Sequence, residues 1–356
     1  MKLLAVLVHR GLVSADMAKK ALESGAPSNF LVRSGVCTAA QWEQWQRTEG
    51  GTRPVLTRYD VREQIGEGGV GRVFAAVDKV DNREVALKVM RAELAADPVQ
   101  VERFIKEARL LQELDHPHLV KGYRVAKEGD AIFFAMEKLP GRCLQDVLGD
   151  GGRLDEESAL QVVVEVAGAL DALHARGLVH RDVKPGNVLW SEERGAVLID
   201  LGFAVARDAA AGGETTAGTV HYIAPEQARG TEPLDVRADI YALGATLYHL
   251  ATGSLPFQGH TGEEVLAKQV LESLSGERIR KLNLSPQLHY FLEKMMAKDP
   301  GMRFQDPKHL QREIESFLQQ RQAQRELEEQ QNKSRKKLGD NRRTSMFDRR
   351  RGRGRR

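Results

Sequence analysis

The stretch His180-Arg181-Asp182-Val183-Lys184-Pro185-Gly186-Asn187 places an acid, a cation and a carboxamide within six residues. A second acid opens Asp200-Leu201-Gly202, 13 residues after Asn187 and directly after a short apolar run. Asp182 can accept a proton from a hydroxyl group, and Lys184 can neutralise a moving phosphoryl group. Asn187 and Asp200 can each hold Mg²⁺. The stretch therefore predicts the chemistry of phosphoryl transfer.

Each of these residues alone has an ordinary explanation, because loop aspartates usually form turns or caps and lysines are usually solvated. The joint pattern H-R-D-x-K-x-x-N with a downstream D-x-G is much rarer by chance. Through it, the chain resembles the eukaryotic-type (bacterial Hanks-type) protein kinase family, in its Ser/Thr branch, over residues 59–317. The resemblance implies an α+β, bilobal protein-kinase fold. In that fold a small antiparallel sheet lobe with one helix precedes a larger, mainly helical lobe.

Composition indicates a soluble globular chain, with 41% apolar and 29% charged residues among 356. Cys37 and Cys143 are the two cysteines, which excludes a disulfide framework or a zinc set and favours a reducing, cytoplasmic environment. The apolar start, residues 1–8, predicts a helix rather than a signal peptide. No transmembrane segment is predicted, since no run approaches the ~20 apolar residues that span a bilayer.

The charge is unevenly distributed along the chain. Residues 333–356 hold 12 Lys or Arg and 2 Asp, whereas the rest of the chain holds 41 basic and 48 acidic residues. We expect residues 318–332 to extend the last helix and residues 333–356 to form a disordered basic tail. Such a tail could contact nucleic acid or acidic surfaces non-specifically, or could simply be solvated.

Residues 1–52 contain a weak internal repeat that predicts a small helical module. Ser14 and Thr38 occupy equivalent places and are each suited to cap a helix, over 15–23 and 39–48. The module has two open interpretations, a structural cap on the kinase domain or a docking module that uses exposed Trp42 and Trp45. These tryptophans could instead form the small core of the module.

A glycine-rich stretch, residues 66–71, lies at the tip of a predicted β-hairpin that begins at Tyr59. The strand that follows, residues 84–90, excludes the dinucleotide fingerprint, which requires a helix there. The arrangement supports a lid whose backbone N–H groups cover the phosphates of ATP. Lys88 in that strand is costly unless it is paired, and Glu107 lies 19 residues further on in an amphipathic helix.

The resemblance assigns roles to these residues, with ATP and Mg²⁺ as cofactors. Lys88 would bind the α and β phosphates with Glu107 as its partner, and Met136 would be the gatekeeper before the adenine-binding backbone of the hinge. The implied catalytic residues are Asp182, Lys184 and Asn187, and the implied metal ligands are Asn187 and Asp200. The implied cofactor-binding residues are Ile65, Gly66, Glu67, Gly68, Gly69, Val70, Gly71, Val73, Ala86, Lys88, Glu107, Met136, Glu137, Leu139 and Leu189.

The resemblance also implies an activation segment, residues 200–226, with three candidate phosphorylation sites. Activation by autophosphorylation, in a transient homodimer, is expected there. Glu226 would be tied by buried Arg303, and Asp239 would support the catalytic loop, because buried charges must be paired. The candidate hydroxyl groups are those of Thr215, Thr216 and Thr219.

Two positions depart from the family pattern. Leu201 replaces the usual phenylalanine of Asp-Phe-Gly, and Gly122 stands where a larger apolar residue usually completes the stack that links the lobes. A rival interpretation is a pseudokinase scaffold that binds partners through the N-terminal module and the basic tail. Another is a small-molecule phosphotransferase. The complete set of chemical residues and Ala224-Pro225-Glu226 favour a serine/threonine kinase that acts on protein substrates.

Overall fold

The structure, a computed structural model, describes residues 2–9, 12–39, 41–42, 53–202, 204–206, 219–230, 234–274 and 284–351. Trp45, Thr215 and Thr216 lie outside the described residues. The chain divides into two compact units, one comprising residues 1–140 with 199–202 and the other residues 141–198 with 203–356.

The N-terminal module contains helices α1 (Lys2–His9), α2 (Ala15–Glu23) and α3 (Pro27–Arg33). The hydroxyl of Ser14 accepts a hydrogen bond from the backbone N–H of Met17 at 3.3 Å, as its capping role predicts. Thr38 and Gln41 bond reciprocally, at 2.8 and 3.1 Å, in a capping box. Trp42 is buried in the module's core, so its interpretation as an exposed docking residue is wrong. The core consists of Leu4, Leu7, Val13, Ala18, Ala21, Leu31, Cys37 and Trp42.

The first unit also contains a five-stranded antiparallel sheet of order β1-β2-β3-β5-β4. Val73 lies opposite Lys88 and Ala86 lies opposite Met136, so these four side chains share one face. The other face is a buried apolar cluster that includes Leu87. One face of the sheet is therefore covered by apolar packing, and the predicted nucleotide-binding residues lie on the opposite face. The elements are β1 (Tyr59–Glu67), β2 (Gly71–Asp78), β3 (Arg83–Met90), α4 (Ala92–Ala95), α5 (Pro98–Glu113), β4 (Gly122–Glu128) and β5 (Ala131–Glu137).

Helix α5 begins where the sequence predicts. The carboxylate of Asp97 accepts from the N–H of Val99 at 2.9 Å, and Pro98 occupies the first turn, where its missing N–H is not needed. Strand β4 approaches this helix so closely that a Cβ on Gly122 would lie 2.8 Å from the backbone of Leu111. The glycine is therefore required by packing.

The second unit is mainly helical, and its buried centre is formed by two long helices. Helix α7 (Glu156–His174) is capped by Asp155, which accepts from two backbone N–H groups at 3.0 Å, and α9 (Val236–Thr252) is buried along nearly all its length. The predicted α+β fold class is confirmed. The other elements are β6 (Arg142–Cys143), α6 (Leu144–Gly149), β7 (Leu178–Val179), β8 (Val188–Ser191), β9 (Gly195–Leu198), β10 (Val205–Ala206), α8 (Pro225–Arg229), α10 (Gly262–Leu271), α11 (Pro286–Met295) and α12 (Pro307–Arg351).

Helix α12 extends further than the sequence predicts. It runs to Arg351, so the expectation of disorder from residue 333 is wrong over 333–351. The composition explains this, because residues 333–351 are rich in Lys and Arg, which favour helices, and the helix contains no proline after Pro307. Arg325 on this helix forms an ion pair with Glu157 of α7 at 2.6 Å. None of the described helices combines the length and apolar character required to cross a membrane.

Candidate active site

In the first unit, the structure brings Lys88, Glu107 and Asp200 together. The Nζ of Lys88 lies 2.7 Å from Oε1 of Glu107 and 3.0 Å from Oδ2 of Asp200. Lys88 and Glu107 are buried, because strand β3 and helix α5 enclose them. The pairing predicted from the separation in sequence is therefore formed, and the second acid joins it.

The charges that meet here shift the pKa values of Lys88 and Glu107. Burial, followed by the nearby charge of Asp200, raises the pKa of Glu107 to about 7, although the bond to Lys88 opposes this. The pKa of Lys88 is raised because the charges of Asp200 and Glu107 outweigh the cost of its burial. A cation that must remain charged between two acids can bind the phosphates of a nucleotide.

The backbone of Gly202 lies close to the carboxylates of both Asp200 and Glu107. Its N–H donates to Oδ1 of Asp200 at 2.8 Å. A Cβ at this position would lie 3.0 Å from that same oxygen and 3.3 Å from Oε2 of Glu107. A side chain at the glycine of the D-x-G pattern would therefore push against both carboxylates, whereas the buried Leu201 before it serves packing.

In the second unit, the loop of residues 180–187 brings Asp182, Lys184 and Asn187 together. The Nζ of Lys184 lies 2.9 Å from Oδ1 and 2.8 Å from Oδ2 of Asp182. The side-chain amide of Asn187 donates to Oδ2 of Asp182 at 2.9 Å and to its carbonyl oxygen at 2.8 Å. Asp182 is buried to 5% exposure. Its carboxylate is thus fixed in orientation by two neighbours, as a proton acceptor must be.

Asp239 on helix α9 anchors the backbone of this loop. Its two oxygens accept from the backbone N–H groups of His180 and Arg181, at 2.8 and 2.7 Å. Arg181 adopts a left-handed backbone conformation with φ of 69°, which is unusual for a residue with a side chain. Burial raises the pKa of Asp239, while these donors and the nearby cations oppose that shift. The predicted supporting role of Asp239 matches these contacts.

The glycine-rich stretch has a further contact that the sequence did not indicate. The guanidinium of Arg91 bonds to the carbonyl oxygen of Gly68 at 3.1 Å and to the carboxylate of Glu67 at 2.6 Å. Gly71 is required by close approach, since its Cβ would lie 2.3 Å from the carbonyl oxygen of Val89. The signal that could have identified Arg91 is its place one residue after β3, beside the loop.

The remaining predicted nucleotide residues occupy different surroundings. Ala86 and Met136 are buried, whereas Ile65 is half exposed at the end of the hairpin. The N–H of Glu137 donates to the carbonyl oxygen of Lys121 at 2.9 Å. Leu189 lies in the second unit, on β8, opposite Val197 of β9 and Cys143 of β6.

A buried ion pair fixes the end of the predicted activation segment. Arg303 donates to both oxygens of Glu226, at 2.6 and 2.8 Å. This is the pairing that the sequence predicts, and both partners belong to the second unit. The side chain of Thr219 lies outside what the structure describes.

Comparisons with known proteins agree with this geometry. Residues 59–315 match the family model of the protein kinase domain. The chain is similar to a probable serine/threonine-protein kinase of Clostridium perfringens, with 35% identity over 73% of this chain and 38% of the relative. It is also similar to PknB of Mycolicibacterium smegmatis (35%, 70% and 41%) and to PrkC of Bacillus subtilis (32%, 73% and 40%). The chain spans about two fifths of the length of these curated relatives.

Proposed function

The chain belongs to the protein kinase domain family, and we propose that it transfers the γ-phosphoryl group of ATP to Ser and Thr hydroxyl groups of proteins. The observation that carries the proposal is the fixed carboxylate of Asp182, which Lys184 and Asn187 hold in place. A pseudokinase has no need to keep this carboxylate oriented. The relatives named as serine/threonine-protein kinases support the choice of acceptor.

Each residue has a role in this proposal that follows from its contacts. Lys88 binds the α and β phosphates, and Glu107 keeps its ammonium group in position. Asp182 accepts the proton of the acceptor hydroxyl, while Lys184 stabilises the charge of the moving group. Thr219, with Lys184, would complete a shallow site for a short hydroxyl side chain.

Each of the two implied metal ligands, Asp200 in the first unit and Asn187 in the second, carries an oxygen donor of the kind that suits a hard divalent cation. Asp200 offers carboxylate oxygens and Asn187 offers an amide oxygen, which Mg²⁺ prefers. Bound Mg²⁺ would neutralise phosphate charge. Asp200 Oδ1 is oriented by the N–H of Gly202, and the amide of Asn187 is oriented by its two bonds to Asp182.

Regulation by autophosphorylation is part of the proposal. Arg181 lies half-buried directly before Asp182, and burial lowers its pKa. A cation in such a place is stabilised by an anion, which phosphothreonine at position 215 or 216 would supply. Two copies of the chain would then meet transiently, with one acting on the activation segment of the other.

Transfer of labelled γ-phosphate from Mg²⁺-ATP to myelin basic protein tests the proposed function. Asp182→Asn and Lys88→Met should each lower the rate by about 10²–10⁴-fold, as for other catalytic groups of these types. The exposed pair Asp130→Asn and Lys127→Met makes the same chemical changes elsewhere and should leave the rate unchanged.

Three outcomes would contradict the proposal. Binding of ATP without transfer by the parent protein would indicate a pseudokinase scaffold. Label that appears mainly on phosphotyrosine would refute the Ser/Thr assignment. Label that appears on small molecules and never on protein would indicate the small-molecule phosphotransferase.

A further inference from the structure

Three polar side chains in the second unit, two of them buried and the third half-buried, form a continuous network of hydrogen bonds. Lys298, just after helix α11, donates from Nζ to the hydroxyl of Tyr241 at 2.9 Å. That hydroxyl donates in turn to Oε1 of Gln269 at 2.6 Å. Tyr241 and Gln269 are completely buried, so the bond between them lies where water does not compete.

The far end of Gln269 reaches the backbone of the activation segment. Its side-chain amide donates to the carbonyl oxygen of Val220 at 3.3 Å and to that of His221 at 2.7 Å. Both carbonyls belong to the short 3₁₀ turn Thr219–His221. Because the hydroxyl of Tyr241 donates to Oε1, the amide N–H groups are turned toward these carbonyls. The orientation of Gln269 is therefore set by Tyr241.

Lys298 anchors the other end of this network of hydrogen bonds. Its Nζ also donates to the backbone carbonyl oxygen of Gln269 at 2.6 Å and lies 4.3 Å from the centre of the Phe257 ring. Burial, followed by the charge of Arg303, lowers the pKa of Lys298 to about 8. Lys298 thus holds helix α10 and the hydroxyl of Tyr241 together.

Tyr241 connects this network to the ion pair that fixes the segment further on. The guanidinium of Arg303 lies 4.9 Å from the centre of the Tyr241 ring, and Arg303 bonds to Glu226. The stretch from residue 219 to residue 226 is therefore held at both ends, by Gln269 and by Arg303. Only the second of these ties was expected from the sequence.

We propose that Gln269, oriented by Tyr241 and Lys298, is a positioning residue that sets the backbone of Val220 and His221 and thereby the fit of the protein acceptor. This inference rests on the proposed kinase function, because the stretch before Ala224-Pro225-Glu226 is then the surface on which the acceptor lies. Gln269 acts through the backbone that it holds. It should affect the acceptor and leave ATP unaffected.

The test uses Gln269→Glu in the full chain, with myelin basic protein as the acceptor. The substitution keeps the shape of the side chain but places an oxygen where the amide N–H groups faced two carbonyl oxygens. We expect the KM for myelin basic protein to rise about tenfold or more, since a buried acceptor loses its donor. The KM for ATP should stay within about twofold of the parent value. Gln258→Glu makes the same change at an exposed position and should alter neither constant.

A second variant covers the case in which Gln269→Glu does not fold. Tyr241→Phe keeps the ring beside Arg303 but removes the hydroxyl that orients Gln269. It should raise the acceptor KM at least about twofold, again without an effect on the KM for ATP. An unchanged acceptor KM in Tyr241→Phe, or in folded Gln269→Glu, would overturn the inference. Equal rises in both KM values would do so as well. Absence of transfer by the parent protein would instead refute the proposed function on which the inference rests.

Discussion

The buried ion pair of Arg303 and Glu226 allows a quantitative prediction about stability. The side chain of Arg303 is 0% exposed and that of Glu226 is 10% exposed. Every N–H group of the guanidinium has an acceptor, because the remaining three donate to the carbonyl oxygens of Ala297, Arg237 and Lys298. Removal of either partner therefore leaves the other as a buried charge with no counterpart.

The magnitude follows from that uncompensated charge. Arg303→Met or Glu226→Gln should each lower the free energy of unfolding by about 3–5 kcal/mol, as when one partner of a buried pair is removed. For a domain of this size, about 2–4 °C is lost per kcal/mol, so the melting temperature should fall by roughly 6–20 °C. The double variant should lose clearly less than the sum of the two single losses, because it contains no unpaired charge.

Thermal unfolding of the full chain, followed by circular dichroism, measures these losses. Arg325→Met provides a matched control, because Arg325 pairs with Glu157 at 2.6 Å but is 55% exposed. Such an exposed pair contributes at most about 1 kcal/mol. Strict additivity in the double variant, or a loss in Arg303→Met no larger than in Arg325→Met, would refute the reasoning.

Two further predictions follow from the site. Because the pKa of Glu107 is raised to about 7, from 4.5 when unfolded, the folded protein holds a proton that the unfolded chain lacks between these pH values. The parent should therefore lose stability as the pH rises from about 4.5 through 7, and Glu107→Gln should flatten this dependence in a series of melting curves. An equally steep dependence in the variant would contradict the assignment. On a peptide array, we expect no preference for Arg three residues before the acceptor, because Cys143 and Gly186 occupy the positions where acids pair with such arginines in basophilic relatives. Neither residue has a carboxylate, and the two lie next to each other, with Sγ of Cys143 3.5 Å from the carbonyl oxygen of Gly186. A clear preference for Arg would refute this prediction.

The sequence predicted those parts of the site in which a residue type and a fixed spacing carry the chemistry. Lys88 pairs with Glu107 because a buried ammonium requires an acid, and this requirement is visible in an apolar strand followed by an amphipathic helix. The caps at Ser14 and Asp97 were likewise predictable, because each depends on residues only two or three positions apart. Contacts of this kind can be predicted because they depend on residue types at fixed spacings in the sequence.

Contacts between segments distant in the sequence were not predictable in the same way. Gln269 lies 48 residues from His221, and nothing in its helix distinguishes it from a solvated glutamine until the fold buries it. Disorder after residue 333 was predicted from charge, but the helical preference of the same residues decided the backbone. Burial and helix propensity, rather than a sequence motif, determine the structure at these positions.

Gly122 shows why a departure from a family pattern needs the structure before it can be interpreted. From the sequence alone, Gly122 would leave the stack that links the lobes of this family incomplete. In the first unit, however, the backbone of β4 lies against helix α5, and a Cβ on Gly122 would lie 2.9 Å from the backbone nitrogen of Gln112. Real Cβ atoms essentially never come that close, so any larger residue would displace the helix that carries Glu107. The glycine therefore favours the position of α5 in which Glu107 reaches Lys88, through direct contact of backbone with backbone.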